Sequence, residues 1–264
     1  MDRTRVSRLA IIALLVAAAQ AAADLQEDIE AGLRQFRVGY HAWDREALAS
    51  AEDTFEAACA RHPREYAVHY WLGTVRFHML LHRSGDLDQP MEDPEFRHLT
   101  RDASKPLETA TRLNAADSEA HAMLGTITGM RIGRNRKRAL WLGPALMRHR
   151  SHALRHGARN PRTQYLVGAG YLHGPGYLGG PAKGLPFLLK AEELYEEESK
   201  AERESTAPAW GRDHCLVFIG EVFRGMGEPD RSEVYFRKAL EVNPQSGLAR
   251  RALASLRKDG GSNE

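Results

Sequence analysis

One 34-residue stretch, Asp213 to Ser246, constrains the fold more than any other part of this 264-residue chain. Leu216, Ile219, Gly220 and Phe223 fall three and four apart, the spacing that places side chains on one helix face. Gly227 breaks that run, Ser232, Phe236 and Ala239 mark a second helix, and Pro244 closes it. The small residues Gly220 and Ser232 allow two antiparallel helices to approach closely. The unit is a complete helix–turn–helix.

The same template recurs upstream. Val38, Gly39, Ala51, Phe55, Ala58 and Pro63 occupy the positions of Ile219, Gly220, Ser232, Phe236, Ala239 and Pro244, although the turn around Trp43-Asp44-Arg45 lacks a glycine. A second copy opens with Leu72-Gly73 and closes with Ala103, Leu107 and Ala110; the polar, proline-bearing segment 81–97 reads as an inserted loop. A third copy has Leu124-Gly125 in register and an over-long second helix. A fourth runs from Asn160-Pro161-Arg162 through a glycine-rich loop at 174–181 to an acidic stretch, Glu192 to Glu204. No segment shows the alternation expected of strands.

These residues resemble the tetratricopeptide repeat (TPR) family, whose signature has this period and these positions. The resemblance covers most of residues 32–246, strongly in the first and last copies and loosely in the third and fourth. It implies an all-α, TPR-like helix-turn-helix superhelix (an α-solenoid) of about four to five helix pairs. The repeats are expected at about 32–65, 66–117, 118–159, 160–204 and 213–246, with a capping helix at 247–258 covering the last apolar face. The Asn160-Pro161-Arg162 start, the Gly-Gly-bearing loop and Pro208-Ala209-Trp210-Gly211 are similar to a group of exported bacterial TPR proteins, mostly without an assigned function.

Residues 1–23 read as a secretory signal peptide. Arg3, Arg5 and Arg8 precede an apolar run from Leu9 to Ala19 and a small-residue end, Ala21-Ala22-Ala23. Cleavage after Ala23 or Ala21 leaves residues 24–264 as the helical domain, expected in a bacterial periplasm; the alternative is an uncleaved signal anchoring the chain to the membrane. Removing three Arg and one Asp takes the formal charge from +2 to 0, which argues against nucleic acid as a partner. Cys59 and Cys215 are expected in distant repeats as buried free thiols rather than as a disulfide.

Candidate chemistry is sparse. Lys183 beside the glycine-rich loop has neither the preceding glycine nor the following Ser or Thr of a phosphate-cradling loop, so no cofactor is implied. His149, His152 and His156 share a helix face, but Arg148, Arg150, Arg155 and Arg159 around them disfavour a metal. His214 and Cys215 are adjacent and do not face each other. The basic cluster Arg131 to Arg159 is the one place expected to meet a membrane or an acidic partner; otherwise it is a solvated face or pairs with Glu192 to Glu204.

In the TPR family the first helix of each repeat lines a concave surface. That resemblance implies partner contacts at Phe36, Tyr40, Trp43, Tyr70, Phe77, His78, His214, Glu221 and Arg224, with Tyr177 and Leu178 as a rim. The competing reading is that these rings fill a closed interior. The function expected is a non-catalytic, exported scaffold binding a protein or peptide on its concave face. The alternatives are a small-ligand accessory protein of a solute transport system, and a cell-envelope hydrolase for which no acid–base pair can be nominated.

Overall fold

The computed structural model describes residues 3–84, 90–133, 135–172, 180–201 and 210–261. Among them lie eleven α-helices, one 3-10 turn at Pro90–Glu92 and no strand. The helices are α1 (Arg3–Ala42), α2 (Arg45–Arg61), α3 (Tyr66–Ser84), α4 (Pro94–Leu113), α5 (Ser118–Ile132), α6 (Arg136–His156), α7 (Pro161–Leu172), α8 (Pro181–Ala201), α9 (Arg212–Gly225), α10 (Pro229–Val242) and α11 (Gly247–Gly261). Five antiparallel pairs follow in chain order, from α1/α2 to α9/α10, and α11 lies against the last pair. The helices α1, α3, α5, α7 and α9 touch one another in series, so the leading member of every pair faces the same side.

Short polar residues start these helices. The side chain of Asp44 accepts from the amide of Ala47 at 2.9 Å, and Asn160 accepts from Thr163 at 3.0 Å. Asp93 and Asp117 cap α4 and α5 in the same way. Each cap satisfies amides that the first helical turn leaves without a carbonyl, a contribution of about 1 kcal/mol.

The packing within pairs is small against large. A Cβ on Gly73 would sit 2.5 Å from Leu107, one on Gly168 would sit 2.7 Å from Leu188, and one on Gly220 would collide with Phe236. Phe236, Leu107 and Leu188 are fully buried. The first pair differs from the last: Gly39 meets the backbone of Leu48, and Gly32 lies under Phe55 instead. Here α1 ends three residues after Gly39, whereas α9 ends five after Gly220, so the turn comes earlier and the pairing of the two helices is shifted. Trp43 accepts a positive φ of 56° in that tight turn, and its buried ring, stacked on His82, holds it there.

Three expectations are modified. Residues 81–84 continue α3 and 94–97 begin α4, so the connection between these helices is shorter than 81–97. Leu80, Leu81 and Phe96 are buried, and Arg83 pairs with Asp93 at 2.8 Å, which ties the two helix ends together. Val38, at the template position of the buried Ile219, is 61 % exposed, because among the described residues no helix packs on that side of the first pair. Cys59 and Cys215 are both free, but Cys59 is only half-buried. In α1, residues 15–24 are exposed, and burial becomes complete first at Gly32. Among the described residues no helix is long and apolar enough to cross a membrane.

Candidate functional site

The inner side of the superhelix is largely filled by its own rings. Tyr40 of α1 lies 4.3 Å from His214 of α9 and 5.2 Å from His78 of α3, centroid to centroid. Trp43 meets His214 edge-on at 4.8 Å, and Phe36 meets His78 at 5.3 Å. Polar contacts lock the two ends of the array. The Tyr40 hydroxyl donates to Asp213 Oδ1 at 2.6 Å and accepts the Gly211 amide at 2.8 Å. Asn243 Nδ2 donates to Asp213 Oδ2 at 2.8 Å and to the carbonyl of His41 at 3.2 Å. Gly211 makes this clasp feasible: its φ of 97° is a left-handed conformation, and the Tyr195 hydroxyl occupies the place a Cβ would take.

Burial dominates the electrostatics here. It pushes His78 down to about 3 and also lowers His214, so both imidazoles are neutral near pH 7. His78 Nε2 and both ring nitrogens of His214 find no hydrogen-bond partner among the described residues. Burial alone would raise the Asp213 carboxyl. The neighbouring His214 and the donors from Tyr40 and Asn243 outweigh it and hold the group below the usual carboxylate range.

The expected partner-contacting residues therefore sit on the inward side but do not line an open trough. Phe36, Tyr40, Trp43, Phe77, His78 and His214 are buried against one another or against Trp71 and Trp210. The physical reason is curvature: with the first and last pairs in contact, wide rings on successive leading helices converge and exclude solvent. Glu221 and Arg224 are half-buried and pair with each other at 2.6 Å, and Arg224 also donates to Ser255 of α11. Tyr177 and Leu178 lie outside the described residues.

Of the expected set, Tyr70 is buried as well, but it also lines an opening among the described residues. It lines a cleft of about 390 Å³ formed by α3, the starts of α5 and α7, and Trp210. Tyr66, Tyr70, Trp71 and Trp210 supply aromatic walls, and Asp117, Glu119, Asn160 and Arg162 supply polar ones. The Tyr66 hydroxyl donates to Asp117 Oδ2 at 2.7 Å, while Asp117 Oδ1 caps α5 through the amides of Glu119 and Ala120. Glu119 accepts from the Tyr70 hydroxyl, from Asn160 Nδ2 at 2.8 Å and from Arg162 Nε at 3.0 Å. Arg162 turns its remaining nitrogens to Glu198 at 2.8 and 3.0 Å. Each cleft carboxylate thus takes three donors and keeps an acceptor direction in reserve. Burial raises Asp117, and the charge of Arg162 is offset by Glu119 and Glu198 together.

Asp117, Glu119 and Arg162 were not singled out by sequence reasoning as ligand-contacting residues. Asn160-Pro161-Arg162 and Trp210 did stand out in the sequence as family-like features, and the structure brings both to this cleft. The histidines also converge: His121 lies 4.2 Å from His152, ring to ring, and its Nδ1 is 3.0 Å from His149 Nδ1. Burial leads in lowering His121, and in lowering His149 to about 4. Among the described residues no three histidines, cysteines or carboxylates are disposed to hold a metal ion. Within the basic cluster, Arg150 turns inward over the Tyr171 ring at 3.6 Å, and Arg159 meets Glu197 at 3.1 Å.

Paired helices with their leading members on one curved inner side define a superhelix of the TPR type. Among solved structures the chain is similar to TTC0263, a thermophilic TPR protein of Thermus thermophilus. The two share 19% identity over 88% of this chain and 98% of that one, with a TM-score of 0.60. Looser likenesses are to YrrB, a TPR protein with an unusual peptide-binding site (13% identity, 89% and 97% of the chains, TM-score 0.39), and to MamA (18%, 75% and 89%, 0.37). The first of these establishes the fold. No family model matches the sequence, nor does any curated protein.

Proposed function

We propose that this chain is an exported, non-catalytic repeat scaffold that holds an extended segment of a partner protein in the cleft between α3, α5 and α7. The observation that carries the reading is the cleft itself: among the described residues it is an opening on an inner face largely filled by its own side chains, and its walls are aromatic and acidic. Asp117 and Glu119 stand against the single guanidinium of Arg162, which Glu198 already engages. Tyr66, Tyr70, Trp71 and Trp210 line the same cleft. That combination favours a lysine or arginine side chain of the partner, since a cation over an aromatic face gains about 0.5–2 kcal/mol. Export is supported by the leader pattern and by the exposure of residues 15–23.

A panning experiment with phage-displayed random heptapeptides tests the reading. Peptides enriched on the full chain are expected to share a basic residue and to lose binding at least tenfold to Ala67→Trp, which fills the cleft, and to Glu119→Gln. Enriched peptides indifferent to both changes would remove the cleft from consideration. The cavity volume also suits a small amine, as in a transport accessory protein. Native mass spectrometry showing a co-purified small cation that is absent from Ala67→Trp would favour that second reading over a peptide.

A further inference from the structure

The outward face of α6 takes no part in the cleft, and it is unusual in two ways at once. Leu140 and Trp141 are 75 % and 81 % exposed, and Met147 is 53 % exposed. Exposed Lys137, Arg148 and Arg155 accompany them. These positions recur at spacings of three, four and seven, so apolar and cationic side chains occupy one stripe of the helix. The opposite side of α6, with Leu146, Arg150 and Ala153, is buried against the rest of the array. From Arg131 to Asn160 the sequence contains no Asp or Glu at all.

We propose that α6 docks this protein flat on the surface of an anionic lipid bilayer. Leu140, Trp141 and Met147 enter the boundary between headgroups and acyl chains, and Lys137, Arg148 and Arg155 meet the lipid phosphates. The charge complementarity singles out an anionic surface. The apolar residues then decide among anionic surfaces, because a bilayer places hydrocarbon directly beneath its charges, whereas nucleic acid and acidic peptides present phosphates or carboxylates to solvent. A tryptophan is suited to that boundary, since its ring is apolar and its indole N–H polar. Trp43, Trp71 and Trp210 are buried, which leaves Trp141 as the exposed member of the chain's four tryptophans.

The test uses the full chain with vesicles of phosphatidylglycerol and phosphatidylcholine, and with vesicles of phosphatidylcholine alone. Co-sedimentation is expected only with the anionic vesicles, falling about fivefold for each of Lys137→Gln, Arg148→Gln and Arg155→Gln. Brominated lipid is expected to quench the Trp141 emission, and Leu140→Ala with Trp141→Ala to weaken binding at least tenfold while leaving the circular dichroism unchanged. Sedimentation without quenching, as the N-terminal apolar run alone would produce, overturns the proposal. So does binding that survives the α6 changes, or a preference for polyglutamate or short RNA over the anionic vesicles.

Discussion

Replacing Tyr40 with Phe removes one oxygen atom and tests whether the two ends of the superhelix are truly clasped. That hydroxyl donates to the buried Asp213 carboxylate at 2.6 Å and accepts the amide of Gly211 at 2.8 Å. A hydrogen bond to a charged group contributes about 1.5–3 kcal/mol, and a buried amide left without an acceptor costs about 1–3 kcal/mol. The two are not additive, because the ring can shift slightly and Asn243 still donates to Asp213. A destabilisation of about 3 kcal/mol is expected, equivalent to a fall in Tm of about 6–12 °C for a chain of this size. Urea unfolding followed by circular dichroism measures it. Tyr66→Phe serves as the control, since its half-buried hydroxyl makes a single hydrogen bond, to Asp117, and should cost about 1.5 kcal/mol. A Tyr40→Phe protein within about 0.5 kcal/mol of the parent would show that the ends are not joined by this contact, and the closed inner face would have to be abandoned.

Other consequences are as direct. His78 falls from an ordinary value of 6.5 to about 3 on burial, so the fold prefers the neutral imidazole. Its contribution is whole above pH 6.5 and is lost as the pH drops toward 3, about 2 kcal/mol being gone by pH 5. His214 shifts in the same direction, and equal urea midpoints at pH 7.5 and pH 5 would contradict the burial of both. Gly220→Ala drives a methyl into the Phe236 ring and should cost about 1–3 kcal/mol in thermal unfolding; an unchanged melting curve would mean that α9 and α10 are less closely packed. Expressed in a Gram-negative host, the chain should be recovered from the periplasm beginning at Asp24 or Ala22, and a mature mass that retains residues 1–21 would refute cleavage.

Much of the local architecture was legible in the residues. Gly220, Phe236 and Pro244 mark a helix pair, its packing contact and its end, because helix period, small-residue approach and proline chemistry act within a few turns of chain. The same logic located the pair led by Gly73; in the fourth pair the glycine under Leu188 is Gly168, which the sequence had not marked. That logic failed at Gly39, where an earlier turn changed which glycine lies under Phe55. For the site, the inward direction of Tyr40, Trp43, Tyr70 and His214 followed from the repeat template. That seven of the expected residues would be buried, and that Asp117, Glu119, Asn160 and Arg162 would join Tyr70 around a cleft, did not.

By itself, then, the amino-acid order determined which segments are helical, how neighbouring helices pair and which helices lead. Only the tertiary structure decided how far the array curls. Curvature is the sum of small rotations between successive pairs, and no single repeat encodes that sum. Its outcome rests on contacts such as Tyr40 to Asp213, made between residues 173 positions apart.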